Sequence, residues 1–294
     1  MYPKVSIVIT TFRGSDVIKE SVESAVKQTY ENKEIIVVDD NGVETDEQIK
    51  TEAVINKYFK DDVKYIAHKY NKNGSAARNT GISVATGEYI ALLDDDDLFK
   101  PNKISKQVQK LLAKGEEYDA CYTGLRINFQ NGKKQIHVQK DEGDLHLKVL
   151  KREIHAPSSV LLFSKKVAES IGGFDDSFKR HQDWEFLDRL SDVTKFAVVP
   201  EPLVERIICK RNSAINANKY AENREYYLKK MKPYFDRLNA FDRTEIYYFH
   251  YKSIAKEYLK ECNLKMVLLY MKRSNHSLKM MVDILKDIFR YRKG

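Results

Sequence analysis

Over residues 1–100, short apolar runs alternate with segments whose apolar positions recur every three or four residues. Val5-Ser-Ile-Val-Ile9 is a β-branched run that predicts a buried strand, closed by the polar loop Thr10-Thr-Phe-Arg-Gly14. Ser15 is placed to cap the next segment, where Ile18, Val22, Ala25 and Val26 share a helical face. Glu34–Val38 predicts a second strand ending in Asp39-Asp-Asn-Gly42. A helical pattern follows over 45–59, then a third strand at Val63–Ile66 and a helix opening at Ser75–Asn79. Tyr89–Leu93 is a fourth apolar run and leads into Asp94, Asp95, Asp96 and Asp97. Continuously apolar strands alternating with helices predict an α/β fold with a mostly parallel central sheet flanked by helices. Ligands of such sheets bind beyond the carboxyl ends of the strands. The polar clusters at Thr10-Thr11, Asp39-Asp40 and Asp94–Asp97 are therefore expected on one rim.

The pattern changes after Pro101. A helix is predicted over Lys103–Lys114, then strands at Ala120–Thr123 and Leu125–Phe129 with a turn at Asn131-Gly132. Val160–Phe163 reads as a strand, Lys165–Ile171 as a helix and Gly172–Asp175 as a turn. Asp183–Leu190 reads as a helix, and Phe196–Val199 as a strand stopping before Pro200 and Pro202. From Lys219 onward the pattern is almost wholly helical.

Charge adds a second division. The 294-residue chain has a net charge of +8, yet residues 1–214 carry −1 and residues 215–294 carry +9. A basic balance spread over the whole chain would suggest nucleic acid; confined to a tail, it does not, and no nucleic-acid partner is expected. No apolar run reaches the roughly 20 residues of a membrane span, and the N-terminus lacks a signal-like apolar region. Cys121, Cys209 and Cys262 are odd in number and widely spaced, which excludes a disulfide framework and a cysteine zinc site and suggests a reducing cytosol.

Four adjacent aspartates at a strand end are costly unless paired or bound to a cation. Oxygen ligands of this kind suit Mg²⁺ or Mn²⁺ together with substrate phosphates; the plain alternative is a solvated acidic loop. Asp39-Asp40 is weaker alone, since Asp-Asn-Gly after a strand is ordinary turn chemistry.

Together, Val5–Phe12, Val37-Val-Asp-Asp40, Ala77-Arg-Asn79 and Gly87–Asp97 resemble the family 2 inverting glycosyltransferases of bacterial surface-glycan type. Ile171-Gly-Gly-Phe-Asp175 and His181-Gln-Asp-Trp-Glu185 extend the resemblance to about residue 210. It implies a GT-A fold with a catalytic domain over 1–214, divided into a nucleotide-sugar half (1–100) and an acceptor half (101–214), and a separate helical extension over 215–294. It also implies a UDP-sugar donor, a Mn²⁺ or Mg²⁺ cofactor and a glycan, lipid-linked or glycoconjugate hydroxyl as acceptor.

By that resemblance Thr10, Thr11 and Phe12 belong to the donor site, Asp40 lines the nucleotide base with Asp39 beside it, and Arg78 lies near base and phosphates. Asp94 and Asp96 match the metal-binding DxD, with Asp95 facing ribose or donor sugar, although four identical residues admit more than one register. Asp183 matches the general base, its N-cap role being the structural alternative. Two departures stand out: Gln182 replaces the first acid of the usual pair, and Arg206-Ile207-Ile208 lacks the family's Arg-x-His. Arg206, Lys210 or Arg211 would then neutralise the diphosphate. His155, His181 and Trp184 are candidate acceptor contacts, with surface or core packing as the alternative for each.

The last segment places Leu278, Met281, Leu285, Ile288 and Phe289 on one helical stripe flanked by lysine and arginine. A basic amphipathic helix suits either an anionic membrane surface or a second copy of the chain, so a cytoplasmic protein, peripheral at the inner membrane face or dimeric, is expected. The rival functions are a catalytically silent nucleotide- or glycan-binding module and a sugar nucleotidyltransferase. The second needs a glycine-rich loop after the first strand, where Thr10–Gly14 holds one glycine.

Overall fold

The computed structural model describes residues 2–129, 131–207 and 215–291, with side chains over 2–129, 131–206 and 215–287. The chain divides into two units, Met1–Val149 with Ile154–Arg211, and Leu150–Glu153 with Asn212–Gly294. Each has its own apolar core.

The first unit is built on one sheet. Its described strands are β1 (Val5–Thr11), β2 (Lys33–Asp39), β3 (Val63–Ala67), β4 (Tyr89–Asp94), β5 (Asp97–Phe99), β6 (Tyr118–Asn128), β7 (Lys134–His137), β8 (Leu161–Ser164) and β9 (Lys195–Ile207). Their order is β3-β2-β1-β4-β8-β6-β9-β5, with β7 on β6. The block β3-β2-β1-β4 is parallel throughout, and β6 and β9 are parallel to each other. β5, β7 and β8 run against their neighbours. The expected mostly parallel α/β architecture is thus found. Its apolar runs are buried because helices α1 (Ile18–Val26), α2 (Asp46–Tyr58), α3 (Gly74–Val84), α4 (Lys103–Lys114), α5 (His146–Leu150), α6 (Lys165–Ser170) and α7 (Gln182–Val193) connect or cover them.

Three local expectations change. The strands expected at 120–123 and 125–129 are one strand, β6, irregular at Thr123/Gly124. The strand expected to stop before Pro200 continues through both prolines to Ile207. Pairing jumps from Thr123–Val199 to Gly124–Pro202 and then to Leu125–Val204, so the bulge absorbs residues that cannot donate to the ladder. Ser15 is not a cap: α1 begins from Val17 without a side-chain cap, and Ser15 Oγ donates to Glu47 Oε2 at 2.9 Å.

One core residue runs against the pattern. Lys103 opens α4 fully buried, with Nζ 4.0 Å from the Phe99 ring centroid and 3.4 Å from the Leu161 carbonyl. Burial lowers its pKa to about 7, so between there and the ordinary 10.5 the unfolded chain holds the proton better and stability rises with pH. Lys103→Met is expected to raise the melting temperature by about 2–4 °C at pH 7, from about 1 kcal/mol of relieved burial cost. The gain should shrink toward pH 10, as thermal melts at the two pH values will show.

The second unit contains α8 (Ala217–Phe235), α9 (Ala240–Lys260), α10 (Leu264–Arg273) and α11 (Ser277–Tyr291). Asn216, Asn239 and Asn263 cap the first three through side-chain oxygens. Ile254, Ala255, Tyr258, Tyr270 and Met280 form the centre of its core. Among the described residues no helix is long and apolar enough to cross a membrane.

Candidate active site

The register of the parallel block sets Thr10 beside both Val38 and Asp94, so the three polar strand ends do share a rim. They do different work there. Thr11 Oγ1 donates to Asp95 Oδ2 at 2.6 Å, and Ser21 Oγ donates to the Asp95 carbonyl at 2.7 Å. A Cβ on Gly14 would stand 1.9 Å from that Asp95 oxygen, so the approach requires glycine there. Asp95, the residue expected to face ribose or donor sugar, is thereby anchored in the body of the rim. Phe12 stays 46% exposed at the end of β1, where it offers an open aromatic edge; Thr10 is half-buried beside it.

Asp40, expected to line the nucleotide base, and Asp39 beside it are both closed to solvent. Asp39 accepts from the Tyr65 hydroxyl at 2.7 Å and from Asn41 N at 2.8 Å. Asp40 accepts from His68 Nδ1 (2.7 Å), Lys72 N (2.8 Å), Asn71 Nδ2 (2.8 Å) and Asn73 N (2.9 Å). Four donors on one carboxylate fix the loop between β3 and α3. Asn73, at its end, caps α3 by accepting from Ser75 N and Ala76 N. The chain order Asp40, Asn73, α3 thus delivers Arg78 to the rim. Nothing in the sequence marked His68 or Asn71 for this, since an isolated histidine or asparagine carries no spacing signal.

Arg78 is the bridge of the site. Its Nη2 donates to Asp94 Oδ1 at 2.7 Å and its Nη1 to Gln182 Oε1 at 3.4 Å, while the guanidinium lies 5.4 Å from the Phe174 ring centroid. The next residue, Asn79, donates to the Phe174 carbonyl and accepts from Phe174 N, both at 2.8 Å. Gly173 has φ 70°, and a Cβ there would come within 2.5 Å of Asn79 Oδ1. Ala77-Arg-Asn79 and Gly172–Asp175, 95 residues apart at Asn79 and Phe174, are one physical joint.

The acidic run is split by charge. Asp94 is pulled below its ordinary pKa by Arg78 and Arg206, which outweigh the opposing effect of burial. Asp97 lies fully buried and takes two hydrogen bonds from Arg206, at Nε (3.0 Å) and Nη2 (2.8 Å), yet burial pushes its carboxyl up to about 6. Arg206 Nη2 is also 3.7 Å from Asp94 Oδ2. Burial works against the charge on Arg206, but Asp97, Asp94 and Asp96 together hold it more firmly protonated. Arg206, expected at the diphosphate, is therefore first a partner of carboxylates. Lys210 and Arg211 lie outside the described residues. Ser159, which accepts from Asp94 N at 3.1 Å and bonds Asp97, was visible in the sequence only as part of Ala156–Ser159.

On the facing side, α7 follows its N-cap residue His181, which is left-handed at φ 64°. Asp183 is therefore within the first turn and not the N-cap; its Oδ1 accepts from Trp184 N at 3.0 Å. The ring of His181 stacks on Trp184 at 4.5 Å and 18°, covering one indole face. Glu185, bonded to Arg189, accepts from Asp175 N at 3.4 Å, and Arg189 reaches the Gly173 carbonyl at 2.6 Å, so α7 is pinned to the same joint as Arg78. His155 is solvent-exposed but close enough to feel both sides: surrounding protein, His137 and Arg206 lower its pKa, and Asp183 opposes them. The rim thus gathers Asp94, Asp96, Arg78, Arg206, His155 and Asp183.

A family model described as Glycosyl transferase family 2 matches residues 6–171, which is more than half of the chain and includes the β1, β2, α3 and β4 elements of this rim. The chain belongs to glycosyltransferase family 2. An uncharacterized glycosyltransferase of Rickettsia bellii is 34% identical over 191 residues, 63% of this chain but 27% of the relative; the chain spans about a quarter of that protein's length. Among solved structures, Staphylococcus aureus TarS 1–349 in complex with UDP-GlcNAc superposes with a TM-score of 0.61 at 13% identity, over 90% of this chain and 89% of that one. A mannosyltransferase of Pyrobaculum calidifontis in complex with GDP-Man and Mn²⁺ gives 0.61 at 12%, over 99% and 88%. At such identities the likeness is one of fold, and the fold of this family 2 member is GT-A.

Proposed function

We propose that this protein transfers a sugar, a hexose or N-acetylhexosamine, from a nucleotide sugar to a hydroxyl of a glycan or glycoconjugate, inverting the anomeric centre. The observation that supports it most is the Arg78 bridge, which joins Asp94 at the end of β4 to Gln182, the residue before Asp183, at the start of α7. The acceptor oxygen would attack the anomeric carbon while its proton passes to Asp183. The bond from that carbon to the diphosphate breaks in the same step, and the charge left on the diphosphate falls near Arg78 and Arg206. His155 and the stacked His181–Trp184 pair would border the acceptor.

The donor set fits a hard divalent cation such as Mn²⁺ or Mg²⁺. Asp94 and Asp96 are only partly covered, and both contribute oxygen. Among the described residues no three His, Cys, Asp or Glu side chains are grouped to hold a metal on their own, so the remaining ligands would come from diphosphate and water. When bound, such a cation supplies positive charge at the leaving diphosphate.

TarS was solved with UDP-GlcNAc and the mannosyltransferase with GDP-Man, so this fold houses both nucleotides; we favour UDP for this chain from the family resemblance of its strand-end motifs. The test is nucleotide release from a panel of UDP- and GDP-sugars with Mn²⁺ or Mg²⁺ and without either. Release from one UDP-sugar, lost on chelation, is expected. Gln182, neutral where the family pair is acidic, favours one second reading, a silent binding module. Donor binding by calorimetry without release for any sugar would establish that reading, and absence of binding would overturn both.

A further inference from the structure

The helical unit carries an apolar surface that its own core does not use. α11 buries Met280 and Ile284, which lie about 40° apart on a helical wheel. Leu278, Met281, Val282 and Leu285 occupy the opposite arc and are exposed, Leu278 at 72%. The helix is thus apolar on two faces, one packed and one bare. α10 repeats the arrangement: Val267 and Tyr270 are buried, while Leu264 and Leu268 are 62% and 65% exposed.

Charge is sorted across the same two faces. Residues 264–294 hold eight Lys and Arg against two acids, Asp283 and Asp287. Both acids turn inward: Asp283 Oδ2 accepts from the Tyr248 hydroxyl at 2.7 Å, and Asp287 Oδ2 from Lys256 Nζ at 2.9 Å. The outer arc is left with leucine, methionine and valine, and with exposed Lys265, Lys272 and Lys286 among or beside them. A protein partner of ordinary composition would leave those lysines to be desolvated or paired one by one. An anionic bilayer takes both components at once, with apolar side chains entering the headgroup boundary and lysines reaching the phosphates.

We propose that the outer faces of α10 and α11 form a docking surface for an anionic lipid bilayer, which the helices lie upon and do not cross. The proposal is independent of the catalytic reading, since it concerns the helical unit alone.

The full-length protein is mixed with sedimentable vesicles of neutral phosphatidylcholine or of phosphatidylcholine with 30% phosphatidylglycerol, at low and at physiological salt. Expected is binding to the anionic vesicles only, weakened by salt. Lys265→Gln, Lys272→Gln and Lys286→Gln should each reduce the partition coefficient by roughly 5-fold. A Leu278→Ser/Met281→Ser/Leu285→Ser triple variant should lose binding while keeping the helical circular dichroism and cooperative melting of the wild type, because the three side chains lie on the exposed face, at 72%, 44% and 47%, and outside the buried pair Met280 and Ile284. Equal partition of wild type and triple variant overturns the proposal, as does failure of the wild type to bind. So does a concentration-dependent dimer in sedimentation velocity that the triple variant abolishes while vesicle binding is absent, which would assign the surface to a second copy.

Discussion

Asp183→Asn should lower sugar transfer by about 10²–10⁴-fold, the usual contribution of a positioned base, and leave donor affinity within a few-fold of wild type. The substitution keeps the shape of the side chain and an oxygen to accept from Trp184 N (3.0 Å), so α7 should keep its first turn. Arg78 bonds the neighbouring Gln182, not Asp183, which is why the donor side should be undisturbed. The expected signature is a fall in kcat at near-constant donor KM, with donor Kd by calorimetry as the control. A variant turning over at more than a tenth of the wild-type rate would remove Asp183 from the reaction.

The second large effect is on stability. Arg206→Met is expected to cost about 3–5 kcal/mol at pH 8, because it takes from a buried carboxylate its charged partner and two hydrogen bonds, at 2.8 and 3.0 Å, and leaves it the neutral Ser159. The pH dependence has a definite sign. With a folded pKa of about 6 against an ordinary 3.8, Asp97 favours the fold fully below 3.8 and loses that contribution as pH rises through 6. Removing Arg206 raises the folded value further and widens that loss. Asp94, held low by Arg78 and Arg206, acts in the same direction, since its ionised form loses a partner. The deficit should therefore be greatest at pH 8 and should shrink toward pH 5. Thermal melts of both proteins at the two pH values decide this; an equal deficit at each would mean that Arg206 acts through packing alone.

The strands from Val5 to Asp94 and the helices between them were legible because buried parallel strands must be continuously apolar and their ends must be polar. Sequence could not show which partner each carboxylate takes or how deeply it is covered. Asp39, Asp40, Asp95 and Asp97 look equivalent to Asp94 and Asp96 along the chain, yet the first four are buried and the last two only partly covered. Their partners are brought from elsewhere: Tyr65 for Asp39, the 68–73 loop for Asp40, Thr11 for Asp95, Arg206 for Asp97 and Arg78 for Asp94. The prolines of β9 misled for a similar reason, since a bulge that accepts them is a property of the pair β6–β9. In the tail, periodicity found the stripe Leu278, Met281, Leu285. It did not reveal that a second stripe, Met280 and Ile284, is the one the fold buries.

The four-donor closure of Asp40 also ties two parts of the fold into one opening unit. Its donors lie at residues 68 to 73, just past β3, and its own place is set where β2 ends. In the folded chain the closed loop spans the ends of the paired β2 and β3, and α3 starts from the last residue of that loop. Separating β2 from β3 is therefore expected to release the loop and loosen the start of α3 that carries Arg78. Hydrogen exchange should find the amides of Lys72 and Asn73, which donate to Asp40, opening together with the β2–β3 ladder as one cooperative element.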